Sequence, residues 1–340
     1  MSYKYKGFIP QQIAPKGTKN IGVYNENGEK VCTIPLGRLT PVTKEKLYSF
    51  GLLADVHIQP YNTNTLDNGQ TVGAFISAKL ENAFHWFEEQ GASFVCIPGD
   101  FVNRGFVNSS GTFVIDEFGE YKRICDLFPN LPVYVSCGNH ESYNEAITER
   151  LTELKQYTGA DLCYTVEQGN DLFIFVGQPS GSVVMSDDDF QWLSETLEAN
   201  KDRRCFVFVH SYIEEDSGDA KDLRENSIFD MWGATKTKAF IELLSQYTNV
   251  ILFHGHSHIK FEYQELDKSA NYTDKNGFKS VHIPSLGRPR NIDLTNSETP
   301  HVDSEGQGYI VDVYEDCIVL NGMDLVNFEY IPTGVFKIDI

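Results

Sequence analysis

Leu131-Pro-Val-Tyr-Val-Ser-Cys137 runs directly into Gly138-Asn-His-Glu141. An apolar run rich in β-branched and aromatic residues that stops at Gly-Asn predicts a buried strand feeding a tight turn. The turn leaves an amide, an imidazole and a carboxylate at the carboxyl end of the strand, the edge where open α/β sheets carry their chemistry. Four other runs finish in the same way. Gly51-Leu-Leu-Ala54 ends in Asp55-Val-His57, and Phe94-Val-Cys-Ile-Pro98 ends in Gly99-Asp100. Cys205-Phe-Val-Phe-Val209 ends in His210, and Val250-Ile-Leu-Phe253 ends in His254-Gly-His256-Ser-His258. One such ending means little, but five that finish in metal-ligand chemistry point to a single site.

Working outward, helical spacing of Phe75, Ile76, Leu80, Ala83, Phe84 and Phe87 predicts a helix over 72–89, with Gly91 as its stop. Strand, helix, strand into Gly99-Asp100 is a βαβ unit. Further helices are expected over 116–126, 142–158 and 237–246. Another begins at Ser186-Asp-Asp-Asp189, where acidic residues suit a helix N-terminus. Leu172–Val176 reads as a strand. After His258 the pattern changes to short strands at 278–283, 308–314, 317–321 and 325–331, expected to form an antiparallel meander that closes a second sheet. Ile21–Tyr24 and Lys30–Ile34 flank a Gly-containing turn and read as a hairpin. The expected architecture is α/β: a four-layer α/β/β/α sandwich of two mixed β-sheets flanked by helices, with a small N-terminal β arm. The arm would occupy residues 1–45 and the main domain 46–340, with 278–340 as the C-terminal meander.

The 340 residues suffice for one large α/β domain, and 41% hydrophobic content supports a substantial core. No run reaches the roughly 18 apolar residues of a membrane span, and the first residues lack an apolar signal core. The net charge of −20 repels phosphate backbones and argues against extended nucleic-acid binding. A small phosphate ester remains compatible, because bound cations reverse the local sign. Seven cysteines without a CxxC pair fit a reducing, cytoplasmic compartment better than a disulfide framework.

The polar strand ends are Asp55, His57, Asp100, Asn103, Asn139, His140, His210, His256 and His258. Carboxylates, an amide oxygen and imidazoles without thiolate suit two borderline ions such as Mn, Fe or Zn. Two such ions about 3.5–4 Å apart suit in-line phosphoryl displacement by a bridging hydroxide. The two-residue step from His256 to His258 would let one side chain face each ion.

These blocks, in order, resemble the calcineurin-like metallophosphoesterase superfamily. Its pattern DxH, GDxxxxG, GNH[DE], a lone His and GHxH matches Asp55–His57, Gly99–Gly105, Gly138–Glu141, His210 and Gly255–His258. The resemblance implies that Asp55, His57 and His258 hold one ion, that Asn139, His210 and His256 hold the other, and that Asp100 bridges them. It implies that His140 contacts the phosphate and protonates the leaving alkoxide, with Asp55 as its partner, and that Glu141 supports the site by orienting a histidine. GDFVNRG is close to the GDYVDRG block of serine/threonine protein phosphatases. By that likeness Arg104 is a phosphate clamp, against the alternative of a loop salt bridge, and Asn103 holds the loop or touches substrate. Arg288 and Arg290 either recognise an anionic leaving group or lie in a solvated turn. His254 reads as a strand residue rather than a ligand. The leading expectation is hydrolysis of a small phosphomonoester or phosphodiester. The alternatives are a nuclease of the same superfamily and a non-catalytic, particle- or phage-associated metal-binding component whose β arm docks a partner.

Overall fold

The computed structural model describes residues 20–24, 30–35, 44–103, 116–142, 147–177, 185–210, 233–263, 272–274, 277–292 and 300–340. Strands β1 (Asn20–Tyr24) and β2 (Lys30–Pro35) pair antiparallel as a separate two-stranded sheet. The main body then runs β3 (Tyr48–Leu52), α1 (Val72–Glu89), β4 (Val95–Pro98), α2 (Glu117–Asp126), β5 (Val133–Ser136) and α3 (Ile147–Thr158). It continues with β6 (Cys163–Gln168), β7 (Asp171–Val176), α4 (Asp187–Ala199), β8 (Cys205–Val209), α5 (Gly233–Leu244) and β9 (Val250–His254). Strands β10 (Tyr272–Thr273), β11 (Lys279–His282), β12 (Gln307–Val313), β13 (Cys317–Asp324) and β14 (Glu329–Asp339) close the chain.

Two six-stranded mixed sheets result, in the orders β14-β13-β12-β3-β4-β5 and β10-β11-β9-β8-β7-β6. Strands buried on both faces read as unbroken apolar runs, and the period-2 alternation decides what each side chain meets. In β7 and β8 the phenylalanines Phe173, Phe175, Phe206 and Phe208 point to the other sheet, where they join Phe50 and Phe94, with Phe253 of the adjacent strand β9 beside them. The alternate residues Leu172, Ile174, Val207 and Val209 point outward to Leu193 and Leu197 of α4 and to Phe240 and Leu244 of α5. On the far side, Val95, Ile97 and Val135 receive Ile76, Leu80 and Phe84 of α1 and Phe118 and Ile124 of α2. The four layers are therefore written in strand alternation. Each buried phenylalanine contributes about 1.5–3 kcal/mol.

Helix boundaries follow local chemistry. Thr71 caps α1 by accepting the Ala74 N–H at 3.3 Å, and Gly91 ends it at φ +75°. Ser186 caps α4 by accepting the Asp189 N–H at 3.1 Å.

Two expectations are corrected. The strand at 279–282 is not part of the meander: β11 pairs parallel with β9 in the opposite sheet, and β12, β13 and β14 alone form the antiparallel run beside β3. The last strand starts at Glu329 and continues to Asp339, beyond the expected 325–331. Strand β6, half-exposed at the sheet edge, carries no continuous apolar run and went unread. Cys96, Cys125, Cys137, Cys163, Cys205 and Cys317 are free thiols. Among the described residues, no helix is long and apolar enough to cross a membrane.

A buried ion pair ties the sheets at the end away from the motif loops. Arg204 clamps Asp171 with two N–H groups, one at 2.8 Å, and also donates to the Tyr314 carbonyl at 2.8 Å. Tyr48 donates to Asp171 at 2.5 Å, and burial together with that carboxylate pushes the phenol pKa up. Asp171→Ala leaves the guanidinium buried without its counter-ion, so urea unfolding is expected to show a loss of about 3–5 kcal/mol.

Candidate metal centre

Strands β3, β4 and β5 run parallel in one sheet and β8 and β9 run parallel in the other, and all five end at the same edge. The loops after β3 and β4 are stitched together by His57 N–H to the Asp100 carbonyl at 2.9 Å and Ile58 N–H to the Phe101 carbonyl at 3.0 Å. Two glycines permit the close approach. A Cβ on Gly138 would lie 2.3 Å from Asp100 Oδ1, and one on Gly99, at φ +89°, would lie 2.7 Å from His210 Nδ1. Six non-glycine residues among those described have positive φ, and five of them are Asp55, His57, Asp100, His256 and His258. The left-handed conformation costs about 1–3 kcal/mol at each, and here it turns successive strand ends inward onto one point. His256 and His258, at φ +70° and +62°, leave β9 by this route rather than in an extended turn.

The ligand atoms converge in two groups. His258 Nε2 lies 3.1 Å from His57 Nε2 and 3.2 Å from Asp55 Oδ1. His210 Nε2 lies 2.9 Å from His256 Nδ1, 3.1 Å from Asn139 Oδ1 and 3.0 Å from Asp100 Oδ2. The groups join through the carboxylates: Asp100 Oδ2 is 4.0 Å from His57 Nε2, and Asp55 Oδ1 is 3.9 Å from His210 Nε2. Asp55, Asp100 and His210 are essentially fully buried.

Hydrogen bonding at the other ring nitrogens tests whether cations fit. His210 Nδ1 donates to the Pro98 carbonyl at 3.0 Å, and His258 Nδ1 donates to the Arg288 carbonyl at 2.9 Å. Those carbonyls can only accept, so in each neutral ring Nε2 carries a lone pair. Each lone pair then faces other acceptors: carboxylate oxygen, amide oxygen and imidazole nitrogen. Such a set repels itself unless a cation sits among its members. Ligands bonded at about 2.0–2.2 Å and roughly at right angles stand about 3 Å apart, which is the separation seen. The donor set fits two N/O-bound cations.

The ionisable groups feel the same field. Burial pushes Asp55 and Asp100 up, but the imidazoles of His258 and His210 overcome it, and both carboxyls end below their ordinary range. Burial and His140 hold His57 well below the usual imidazole value, and burial and His210 hold His256 down at about 3. His210 alone goes the other way: burial favours the neutral ring, yet Asp100 and Asp55 raise it to about 9.

His140 stands at the rim, with 25% of its side chain exposed. Its backbone N–H donates to Asp100 Oδ1 at 2.9 Å, and its ring Nδ1 is hydrogen-bonded to the Asn103 carbonyl. The carboxylate beside its Nε2 is Asp100 Oδ2, at 3.9 Å. Asp55, expected as its partner, is instead engaged with His258 and accepts the His256 N–H at 2.8 Å. Glu141 orients no histidine. Its carboxylate accepts the N–H groups of Asp100 at 2.8 Å, Val102 at 3.0 Å and Gly138 at 2.7 Å, fixing two ligand loops at once. Burial and the Asp100 charge push its carboxyl up to about 8, against those donors.

Asn103 donates to Tyr61 Oη at 2.8 Å while its carbonyl serves His140. Arg288 pairs with Asp303 at 3.2 Å, and its charge helps lower His57. Arg290 is half-buried, its pKa lowered by burial and by Arg288, and its N–H donates to the His258 carbonyl at 2.8 Å. Arg104 lies outside the described residues. His254 is buried in β9 with its ring centroid 5.6 Å from that of His282. The sequence leaves His301 ambiguous; it is half-buried, and its ring nitrogen shares the Arg288 carbonyl at 3.0 Å. Sequence reasoning missed Ser285, which donates to the Asp55 carbonyl at 2.7 Å. Neither lies in a motif block.

Comparison with known proteins agrees with this geometry. Residues 48–260 match the model of the calcineurin-like phosphoesterase family, and the chain belongs to that family. It is a phosphoric ester hydrolase by class, and the family implies a two-metal site where the buried Asp/His cluster lies. Among solved structures, a dimetal phosphatase from Danio rerio is similar at 16% identity and a TM-score of 0.57, covering 87% of this chain and 99% of that one. A putative 5'-nucleotidase from Staphylococcus aureus aligns at 15% identity and a TM-score of 0.45, covering 86% of this chain and 54% of that one. A phosphoesterase from E. coli aligns at 10% identity and a TM-score of 0.39, covering 86% and 99%. No curated protein matches by sequence.

Proposed function

We propose that the chain hydrolyses a small phosphomonoester or phosphodiester at a two-ion centre, with His140 as general acid. The supporting observation is the convergence of four imidazoles, two carboxylates and the Asn139 oxygen, with the His140 ring at the open edge. Asp55, His57 and His258 would hold one ion, and Asn139, His210 and His256 the other, with Asp100 between them. Manganese, iron or zinc suits a set of nitrogen and oxygen donors free of thiolate. When bound, the ions supply neutralising charge for the phosphate oxygens and a nucleophile available near neutral pH.

The remaining work belongs to side chains. The His140 ring keeps a proton on Nδ1 for the Asn103 carbonyl, which leaves Nε2 as the position that delivers a proton to the departing oxygen. Glu141 holds the Asp100 and Gly138 loops at their close approach. Arg104, Arg288 and Arg290 are the candidate contacts for substrate anions, and Asn103 holds the His140 loop beside them. The net charge of −20 keeps large polyanions away while admitting a compact ester.

The test is turnover of aryl phosphomonoesters and diesters by purified protein with manganese, bound ions being counted in the same sample. Hydrolysis of at least one ester class is expected. A protein carrying both ions that turns over neither would falsify the proposal.

A further inference from the structure

Among the described residues, Lys79 is a buried charge that the chemistry above does not use. It lies on the apolar face of α1 between Ile76 and Leu80 and is 2% exposed. Its ammonium directs three hydrogen bonds at three backbone carbonyls: Gly287 at 2.7 Å, Asp303 at 2.7 Å and Glu305 at 2.5 Å. Nζ also stands 4.9 Å from the Phe75 ring centroid. Burying an ammonium is costly even when it is hydrogen-bonded, and an apolar residue would fill this helix face without that cost.

The three carbonyls belong to two stretches of chain, 285–290 and 301–306, that wrap the first group of ligands. Leu286 N–H donates to the Ala54 carbonyl at 3.0 Å, and Gly287 N–H donates to that of Asp55 at 3.1 Å. The next carbonyl, Arg288, receives Nδ1–H of His258. Asp303 holds the Arg288 guanidinium, and Glu305 pairs with Lys260, two residues past His258. Lys79 thus grips the residue before the carbonyl that orients His258, and both residues that hold the surrounding cationic side chains. The opposite group of ligands, around Asn139, His210 and His256, receives none of these contacts.

We propose that Lys79 is a positioning residue for one half of the metal centre: by pinning both stretches from beneath, it sets the Arg288 carbonyl and so the ring of His258. The inference rests on the two-ion assignment above. Burial dominates the Lys79 environment and pulls its pKa down to about 7, with Asp303, Asp324 and Glu305 opposing that fall and Arg288 adding to it. A neutral amine has only two N–H donors for three carbonyls, so the clamp is complete only in the charged form.

The experiment is metal competition against a chelator on the full chain, with Lys79→Gln and Lys79→Met beside the wild type. Both affinities are titrated with manganese, and folding is checked by thermal melting. Groups that orient a ligating histidine typically change metal affinity by about 10–100-fold. The expected result is a loss of that size for one ion, the other holding within about twofold. Met, with no donor, should exceed Gln. Equal weakening of both ions, no weakening of either, or failure of both variants to fold assigns Lys79 to the scaffold and overturns the proposal. A wild type that binds two ions but hydrolyses no ester would count against the reaction, while the ratio of the two affinities would still decide the role of Lys79.

Discussion

Asp100→Asn should reduce the centre from two bound ions to one at most and lower turnover by at least about 10²-fold, the upper end of what losing a mere supporting group costs. Asparagine is the informative replacement because Asp100 sits at φ +52°, a conformation that asparagine accepts more readily than alanine. The Oδ1 position can still accept the His140 N–H, so the rim keeps its anchor. What changes is the atom facing His210 at 3.0 Å. An amide N–H placed there donates to the imidazole lone pair and occupies the direction a cation needs. It also removes one of the two negative charges shared by both ligand groups. Ion counting and thermal melting with and without manganese read the result. The wild type should gain stability on metal addition by mass action, and the variant should gain less. Two tightly bound ions with turnover retained in Asp100→Asn would remove Asp100 from its place between the ions.

The same residue illustrates what was legible in the sequence. Gly99-Asp100 could be placed at a strand end because Phe94–Pro98 is an unbroken apolar run, and such runs are what a strand buried on both faces requires. The five blocks therefore fixed which residues would meet. They could not fix which atom of each does so. His256 enters through Nδ1 and His210 through Nε2, because the Pro98 carbonyl, distant in sequence, claims the other nitrogen of His210. Glu141 shows the same limit. A carboxylate next to His140 suggests a side-chain partner, but its oxygens go to three backbone N–H groups from two loops. Strand β11 was read with the meander because alternation gives a strand's faces but not its neighbour, and it pairs parallel with β9. Lys79 did leave a signal, a lone lysine on the Ile76, Leu80, Ala83 face of α1. Its meaning depended on carbonyls more than 200 residues away.

His140→Ala separates proton delivery from metal binding. The ring is the most exposed of the histidines around the centre, with 25% of its side chain accessible, so its removal opens no core cavity. The His140 backbone N–H that anchors Asp100 stays in place. Two ions should therefore remain bound while turnover falls by about 10²–10⁴-fold, the usual contribution of a positioned acid. The loss should depend on the leaving group. An alkoxide needs its proton as the bond breaks, so alkyl esters should show the full effect. A nitrophenolate leaves without help, so activated aryl esters should lose far less. Asn139→Ala is the contrasting case: its oxygen lies 3.1 Å from His210 Nε2, and its loss should weaken one ion and slow both ester types alike. The competing possibility is specific, because His57, Asp100 and His140 also bring ligand atoms within 4.8 Å of one another. If His140 is a ligand, its alanine variant will lose an ion and the leaving-group dependence will vanish. Ion count and leaving-group slope, measured on one preparation, therefore decide between an acid and a ligand at the edge of the same cluster.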